Sequence, residues 1–254
     1  MVTRKSRAEI ARMRTAGRVV AEVLDLVERE LKPGITTGHL DRLAEAHIRA
    51  AGAIPSFKGY PGINPRRPFP ASLCISLDDE IVHGIPGDRV IREGQIVSID
   101  AGAIVDGWHG DAARTFFVGD PPEPARQLIE ATRAAMMAGI AAAVPGNHID
   151  DISAAVEDVA KPFGFGIIRQ FVGHGIGTEM HEEPQVPNYR TGRRGRKLEP
   201  GLCLAIEPMF TLGDYHAHVL ADDWTVSTVD GSLAAHFEHS IAITEAGPEI
   251  LTAV

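Results

Sequence analysis

Apolar residues recur at helical spacing near the start of the chain. The periodic positions are Ile10, Met13, Val20, Leu24, Val27 and Leu31. They lie on one face of a helix because the α-helix turns once every 3.6 residues. Ser6 and Glu9 form a capping-box pair, which predicts the start of this helix. Lys32-Pro33-Gly34 predicts its end, and a second helix is predicted over 37–51, closed by Gly52.

Shorter apolar runs with glycine turns occupy about 70–118, a pattern typical of strands. Two further helices are predicted over about 124–143 and 150–160, and strand-like runs return from about 165. The stretch AAMMAGIAAAV at 134–144 is too short to span a bilayer. We therefore expect it in a helix packed in the core, within a mixed α/β (α+β) fold.

The chain repeats itself in outline. The echoes are PG at 33–34 and 145–146, HGIP at 83–86 and HGIG at 174–177, EGQIVSID at 93–100 and PGLCLAIE at 200–207, and DAARTFFVGDPP at 111–122 and EHSIAITEAGPE at 238–249. Their order is the same in both copies, which is the signature of a duplicated unit. We infer a single domain over 1–254 with halves of about 1–120 and 121–254, each helix-helix-sheet, related by a pseudo-twofold axis.

Each half contains a histidine, an acid that ends an apolar strand and an acid that opens one. The two sets are His83, Asp100 and Asp111, and His174, Glu207 and Glu238. Any one of these residues alone has a structural explanation, such as a turn cap or a packed core histidine. Two matching sets are harder to explain in that way, because clustered carboxylates repel each other unless a cation neutralises them.

Asp106-Gly107 is a turn signal between two apolar runs, which predicts a β-hairpin. A turn centred there pairs Asp111 with Gly102, so that Asp111 and Asp100 share one face. Four carboxylates and one imidazole suit two divalent ions such as Mn, Fe(II) or Co better than a structural zinc site. Paired ions polarise a carbonyl and activate water, which indicates hydrolysis of an amide, ester or phosphate.

The bulk composition narrows the class of protein. The 254 residues carry a net charge of −9, which argues against a general nucleic-acid binder. Two cysteines, Cys74 and Cys203, make no disulfide framework and suit a reducing compartment. The basic N-terminus has no apolar run behind it, so we expect no signal peptide and a cytoplasmic protein without a membrane span. Nothing in the sequence requires an oligomer, and we expect a monomer.

Several strings together resemble type I methionine aminopeptidases over nearly the whole chain. They are VHGIPG, SIDAGAIVDGWHGDAARTFFVG, GHGIG followed by HEEP, LAIEPM and HFEHSIAIT. The resemblance implies the duplicated pita-bread fold and removal of the initiator methionine from nascent chains whose second residue is small. It implies five metal ligands, Asp100, Asp111, His174, Glu207 and Glu238, for two ions. Asp111 and Glu238 would bridge them, Asp100 would serve one, and His174 and Glu207 the other.

The resemblance also implies roles for other residues. His83 would contact the amine side of the substrate, His181 the scissile carbonyl, and Glu207 would move a proton to the leaving amine. The methionine pocket would be lined by Tyr60, Phe69, Cys74, Met180 and Trp224. From the residues alone, His181 fits a solvated acidic loop equally well, and the pocket residues fit ordinary core packing.

Two segments of the chain have alternative roles that the sequence leaves open. The proline-rich segment 61–70 is longer than in relatives, and it either limits long substrates, contacts the ribosome or does neither. The basic loop 190–197 is either solvated or close to ribosomal RNA.

An Xaa-Pro hydrolase usually has a large N-terminal domain, but only about 80 residues precede HGIP. A type II enzyme normally has a sizeable insertion in the second half, and the gap from His181 to Glu207 is too short for it. Peptide-binding and creatine-hydrolase-like proteins of this fold typically lack the metal ligands, whereas all five ligand residues are present here.

Overall fold

The computed structural model describes residues 2–62 and 64–254. The helices are α1 (Arg7–Glu30), α2 (Thr37–Ala50), α3 (Glu123–Ala142) and α4 (Ile149–Ala160), and a 3₁₀ turn spans Lys161–Phe163. Strands β1 (Ile54–Pro55), β2 (Leu73–Leu77), β3 (Glu80–Val82), β4 (Ile96–Val105) and β5 (Trp108–Phe117) precede α3. The strands after α4 are β6 (Gly166–Ile167), β7 (Gly173–Gly175), β8 (Glu182–Val186), β9 (Cys203–Ile206), β10 (Met209–Thr211), β11 (Ala217–Val219), β12 (Val226–Thr228), β13 (Ala234–His236), β14 (Glu238–Thr244) and β15 (Gly247–Ile250).

The ends of the helices follow the local signals in the sequence. The Glu9 N–H donates to Ser6 Oγ at 3.3 Å, and the Ser6 N–H donates to Glu9 Oε2 at 2.7 Å, which is the predicted capping box. Gly52 adopts a left-handed φ of +74° just after α2, as expected where a helix stops. The predicted helix bounds agree with the structure to within one residue where both ends were predicted.

The main sheet is duplicated about its centre. Its strands lie in the order β1-β4-β5-β14-β9-β7-β8, with β2 also paired to β4 and β15 to β14. Strand β5 is flanked by β4 and then β2, just as β14 is flanked by β9 and then β7. Helix α1 packs on β4 and β5, and α3 packs on β9 and β14. The helix-helix-sheet halves predicted from the repeat therefore meet along the β5–β14 pair, called the seam below.

The stretch AAMMAGIAAAV lies in α3 and the turn that follows it. Ala135, Met136 and Ile140 are buried against the second half of the sheet, which confirms its prediction as a core helix. Over residues 2–62 and 64–254, no helix is long and apolar enough to cross a membrane.

We expect Gly17→Ala to destabilise the protein although alanine favours helices. A Cβ at Gly17 in α1 would overlap the backbone carbonyl of Leu251, which cannot move aside as a flexible side chain would. Overpacking costs about 1–3 kcal/mol and the better helix propensity of alanine offsets about 1 kcal/mol, so the net loss is up to about 2 kcal/mol. Urea unfolding measures it, with Gly87→Ala as the control because no atom lies within 4 Å of its added Cβ. Equal stability of the two variants would contradict the expected overlap.

Candidate active site

A tight hairpin positions the first two acids. Asp106 and Gly107 have φ of +50° and +80°, the signs required by the type I′ turn that joins twisted antiparallel strands. The register places Asp111 opposite Gly102 and Asp100 opposite Ala113. Both carboxylates therefore lie on one face of the sheet and are diagonal neighbours, which confirms the predicted geometry.

The second half brings its acids to the same place. Glu238 lies opposite Ala113 across the seam, so that Asp100, Ala113 and Glu238 form one row over three strands. His174 lies opposite Ala205 on β9, and Glu207 follows the end of that strand. Ser240 fixes the seam, because its Oγ accepts from the Asp111 N–H at 3.0 Å and donates to the Asp111 carbonyl at 2.8 Å.

The side chains of these residues converge. His174 Nε2 lies 3.5 Å from Glu207 Oε1 and 3.9 Å from Asp111 Oδ2. His174 Nδ1 donates to the Gly175 carbonyl at 2.8 Å, which leaves Nε2 with a free lone pair toward the acids. Potential ligand atoms of Asp111, His174 and Glu238 lie within 4.8 Å of one another, and so do those of Glu207, His236 and Glu238.

The four buried carboxylates repel one another unless a cation lies between them. Burial raises the pKa values of Asp100, Asp111, Glu207 and Glu238 well above their usual range, and repulsion between these neighbours raises them further. Within the part of the chain that the structure describes, Asp100 Oδ1, Asp111 Oδ1 and Glu238 Oε1 are buried without a hydrogen-bond partner. A divalent cation satisfies such oxygens and removes the repulsion, so these residues fit a metal centre.

The buried histidines of the site are neutral. Burial, together with a smaller effect of the neighbouring His181, lowers the pKa of His174 to about 3 and that of His83 to about 4. His83 has a φ of +61°, which is unusual for a residue with a side chain and typical of strained backbone at functional sites. Its ring packs against Phe171 and Trp224. His181 lies on the exposed rim, where its Nδ1 is 2.6 Å from Tyr60 Oη.

One cavity of about 260 Å³ brings all the residues predicted for the site together. Its lining includes the five predicted ligands, His83, His181, Tyr60, Phe69, Cys74, Met180 and Trp224. Cys74, Phe69 and Met180 are buried in an apolar cluster that Tyr60 and Trp224 border. The roles of these residues remain predictions, since proximity alone does not assign them.

The cavity also contains residues that sequence reasoning missed. They are Phe57, Val82, Gln170, Phe171, Val172 and His236. His236 precedes Glu238 by two residues, so the alternation of side chains along a strand would have placed both on one face. The other missed residues lie in segments without a comparable signal.

The proline-rich segment contacts the wall of this cavity. Its neck is closed by the Gly59 N–H donating to the Phe69 carbonyl at 2.8 Å and the Phe69 N–H donating to the Tyr60 carbonyl at 2.9 Å. The Trp224 indole N–H donates to the carbonyl of Arg67 at 2.9 Å. The segment therefore holds a pocket side chain in place, although Ile63 lies outside the described residues.

Two of the five basic residues in the loop 190–197, Arg190 and Arg196, are paired with nearby acids. Arg190 donates to Glu157 and Asp158 of α4, at 2.9 Å and 2.6 Å. Arg196 lies 3.4 Å from Glu199. This pairing reduces the charge that the loop offers to RNA, and it favours the alternative of a solvated loop.

Comparison with known proteins agrees with this geometry. The pattern of metallopeptidase family M24 matches residues 11–245. The chain belongs to metallopeptidase family M24. It is 51% identical over 253 residues to a methionine aminopeptidase of Clostridium acetobutylicum, with 99% of each chain covered. The crystal structure of methionine aminopeptidase from Thermotoga maritima covers 100% of both chains with a TM-score of 0.95 and 42% identity.

Membership of family M24 confirms the predicted resemblance and the pita-bread α/β fold, and it implies use of divalent metal. A prolidase from Pyrococcus furiosus has a TM-score of 0.79 and 24% identity, which shows a shared fold alone. It is matched over 99% of this chain but only 65% of its own.

Proposed function

We propose that this enzyme removes the N-terminal methionine from nascent polypeptides whose second residue is small. The observation that carries the proposal is the convergence of four buried acids and a neutral histidine beside an apolar pocket in one cavity. The names of the methionine aminopeptidases that resemble the chain over its full length support the same activity.

The residues of the seam would hold two divalent ions. Asp111 and Glu238 come from opposite sides of the seam and would bridge the ions, Asp100 would complete one site, and His174 and Glu207 the other. The bound ions would supply Lewis acidity toward the scissile carbonyl and a nucleophile near neutral pH. Co, Mn and Fe(II) all suit these ligands, and availability would select among them.

Glu207 would carry the proton between the nucleophile and the leaving amine. In the metal-free site burial, and then repulsion from Asp111 and Asp100, raise the pKa of Glu207. His174 Nε2, at 3.5 Å, lies beside the same carboxylate and limits its orientations.

His181 and His83 would contact the peptide at the scissile bond. Partial burial raises the pKa of Tyr60, so its phenol stays protonated and can donate to His181 Nδ1 at 2.6 Å. The imidazole proton then resides on Nε2, which suits a donor to the oxygen on which charge develops. His83, held between Phe171 and Trp224, would contact the amine side.

The apolar wall would bind the methionine side chain. Phe69 and Trp224 pack edge to face with ring centroids 5.1 Å apart, beside the buried Cys74 and Met180. A thioether makes favourable contacts with aromatic edges. Because the cavity is close to the lower limit of typical ligand pockets, roughly 300 Å³, it suits one side chain and the adjacent peptide bond.

The cellular setting follows from the same activity. We propose that the enzyme acts in the cytoplasm as a monomer of one domain, on polypeptides as they leave the ribosome. Burial raises the pKa of Cys203 to about 12 and that of Cys74 well above its usual range, so neither thiol is reactive, as expected in a reducing compartment. Any contact with the ribosome would be transient, since Arg190 and Arg196 of the basic loop are paired within the protein.

A peptide panel tests the proposed function. We expect the metal-loaded enzyme to release methionine from Met-Ala-Ser and to cleave Met-Arg-Ser at least ~100-fold more slowly, because a large second residue is rejected sterically. An Ala-Pro dipeptide should remain intact. Liquid chromatography of the products measures all three reactions. Cleavage of the Ala-Pro dipeptide alone would show an Xaa-Pro hydrolase instead.

A further inference from the structure

His236 is a buried histidine of the cavity for which the proposed function has no use. It ends β13, and its side chain is only 2% exposed. Its N–H donates to Thr115 Oγ1 at 2.8 Å, and the Thr115 hydroxyl donates to its carbonyl at 2.6 Å. Both backbone groups are thus anchored to β5, which fixes where the ring starts and directs it into the cavity.

The Nε2 atom of this ring has no hydrogen-bond partner among the described residues. Its nearest charged group is Glu207 Oε2 at 3.7 Å, which is too far for a hydrogen bond. A buried polar nitrogen left unsatisfied costs about 1–3 kcal/mol, so a position of this kind needs an explanation.

The spacing around Nε2 matches that of ligands on one metal ion. Metal–nitrogen and metal–oxygen bonds are about 2.1 Å long, so two ligand atoms lie about 3.0 Å apart at right angles and about 4.2 Å apart when opposite. The 3.7 Å from His236 Nε2 to Glu207 Oε2 lies in this range. So does the 3.5 Å from His174 Nε2 to the other oxygen, Glu207 Oε1. The ligand atoms of His236, Glu207 and Glu238 lie within 4.8 Å of one another.

We propose that His236 Nε2 is a further ligand of the divalent ion held by Glu207 and Glu238. The inference rests on the metal centre proposed above and adds a second imidazole to it, on the opposite side of the Glu207 carboxylate from His174. Imidazole ligands favour Fe(II) and Co over Mn, which prefers oxygen. A second imidazole would therefore increase the preference of this metal centre for Fe(II) and Co over Mn.

Proton NMR of the Co(II)-loaded enzyme counts its coordinated imidazoles. Each such ring contributes one exchangeable N–H signal that the paramagnetic ion shifts far from the normal range. We expect two of these signals in the unaltered protein, from His174 and His236, and one in His236→Gln. Calorimetric titration should show that the same variant binds one Co(II) ion about 10–100-fold less tightly. Its loss of Mn(II) affinity should be smaller.

The matched control is His239→Gln, the same change one residue beyond Glu238. His239 points to the other face of β14, where its Nδ1 is 2.8 Å from Thr252 Oγ1, so both signals should persist. A single signal in the unaltered protein would overturn the inference even if His236→Gln fails to fold. So would two signals in a folded His236→Gln variant, since the ring would then act only as a neighbour of Glu207. Two signals in a protein that leaves Met-Ala-Ser intact would instead reject the proposed function.

Discussion

We expect Asp111→Asn to lower kcat/KM for Met-Ala-Ser by about a thousandfold, which is on the order of 4 kcal/mol of transition-state stabilisation. Asp111 lies at the seam between the halves, with one buried oxygen unpaired and the other 3.9 Å from His174 Nε2. A bridge between two ions needs both oxygens and the negative charge, and an amide offers one neutral oxygen. The variant should therefore bind both ions more weakly, measured by calorimetric titration beside steady-state kinetics.

Asp106→Asn is the control for this prediction, since it makes the same chemical change in the same hairpin. Asp106 is an exposed turn residue with a φ of +50°, a conformation that asparagine adopts readily. We also expect metal-free Asp111→Asn to melt at a higher temperature than the metal-free parent, because the change removes one of four repelling acids. Parental activity of Asp111→Asn with two tightly bound ions would show that the ligand assignment is wrong.

We expect that removal of divalent ions with a chelator abolishes peptide cleavage and lowers the melting temperature. An ion present at a hundredfold excess over its Kd stabilises the fold by about 2.7 kcal/mol. For a chain of this length that corresponds to about 5–11 °C. Differential scanning calorimetry measures the shift, and re-addition of Co(II) or Mn(II) should restore both the melting temperature and the activity.

The size of this shift should depend on pH with a definite sign. Burial and mutual repulsion raise the pKa values of the site acids in the folded protein. Acids of that kind contribute stability to the metal-free fold below their unfolded pKa of about 4, and they lose it progressively as the pH rises toward the raised values. An ion displaces their protons, so the difference between loaded and metal-free protein widens with increasing pH. A difference that narrows over the same range would contradict the assignment of these acids.

The features that the sequence predicts well are those controlled by neighbours along the chain. Ser6 and Glu9 cap α1 through hydrogen bonds within one helical turn. Asp106-Gly107 sets the hairpin register, and the register alone brings Asp100 and Asp111 to one face. The repeat then extends this local geometry to the second half, where Glu238 comes opposite Ala113.

What the sequence does not predict depends on contacts between distant segments. The carbonyl of Arg67 accepts a hydrogen bond from the Trp224 indole N–H. No pattern of side chains in the sequence predicts a backbone acceptor of this kind. Phe171 joins the cavity from the loop before β7, where its neighbours give no periodicity. His236 had a usable signal in its spacing from Glu238, but a lone histidine in an apolar strand is usually a packed core residue.

The seam between the halves has a consequence for how the protein holds together. Asp100 and Asp111 belong to the first half, and His174, Glu207 and Glu238 to the second. Two ions shared by these residues would link the halves, and their ligands would stay together only while β5 and β14 remain in register. Opening of that strand pair and release of the metal would then be a single event. A condition that separates the two halves would therefore release the metal without binding it.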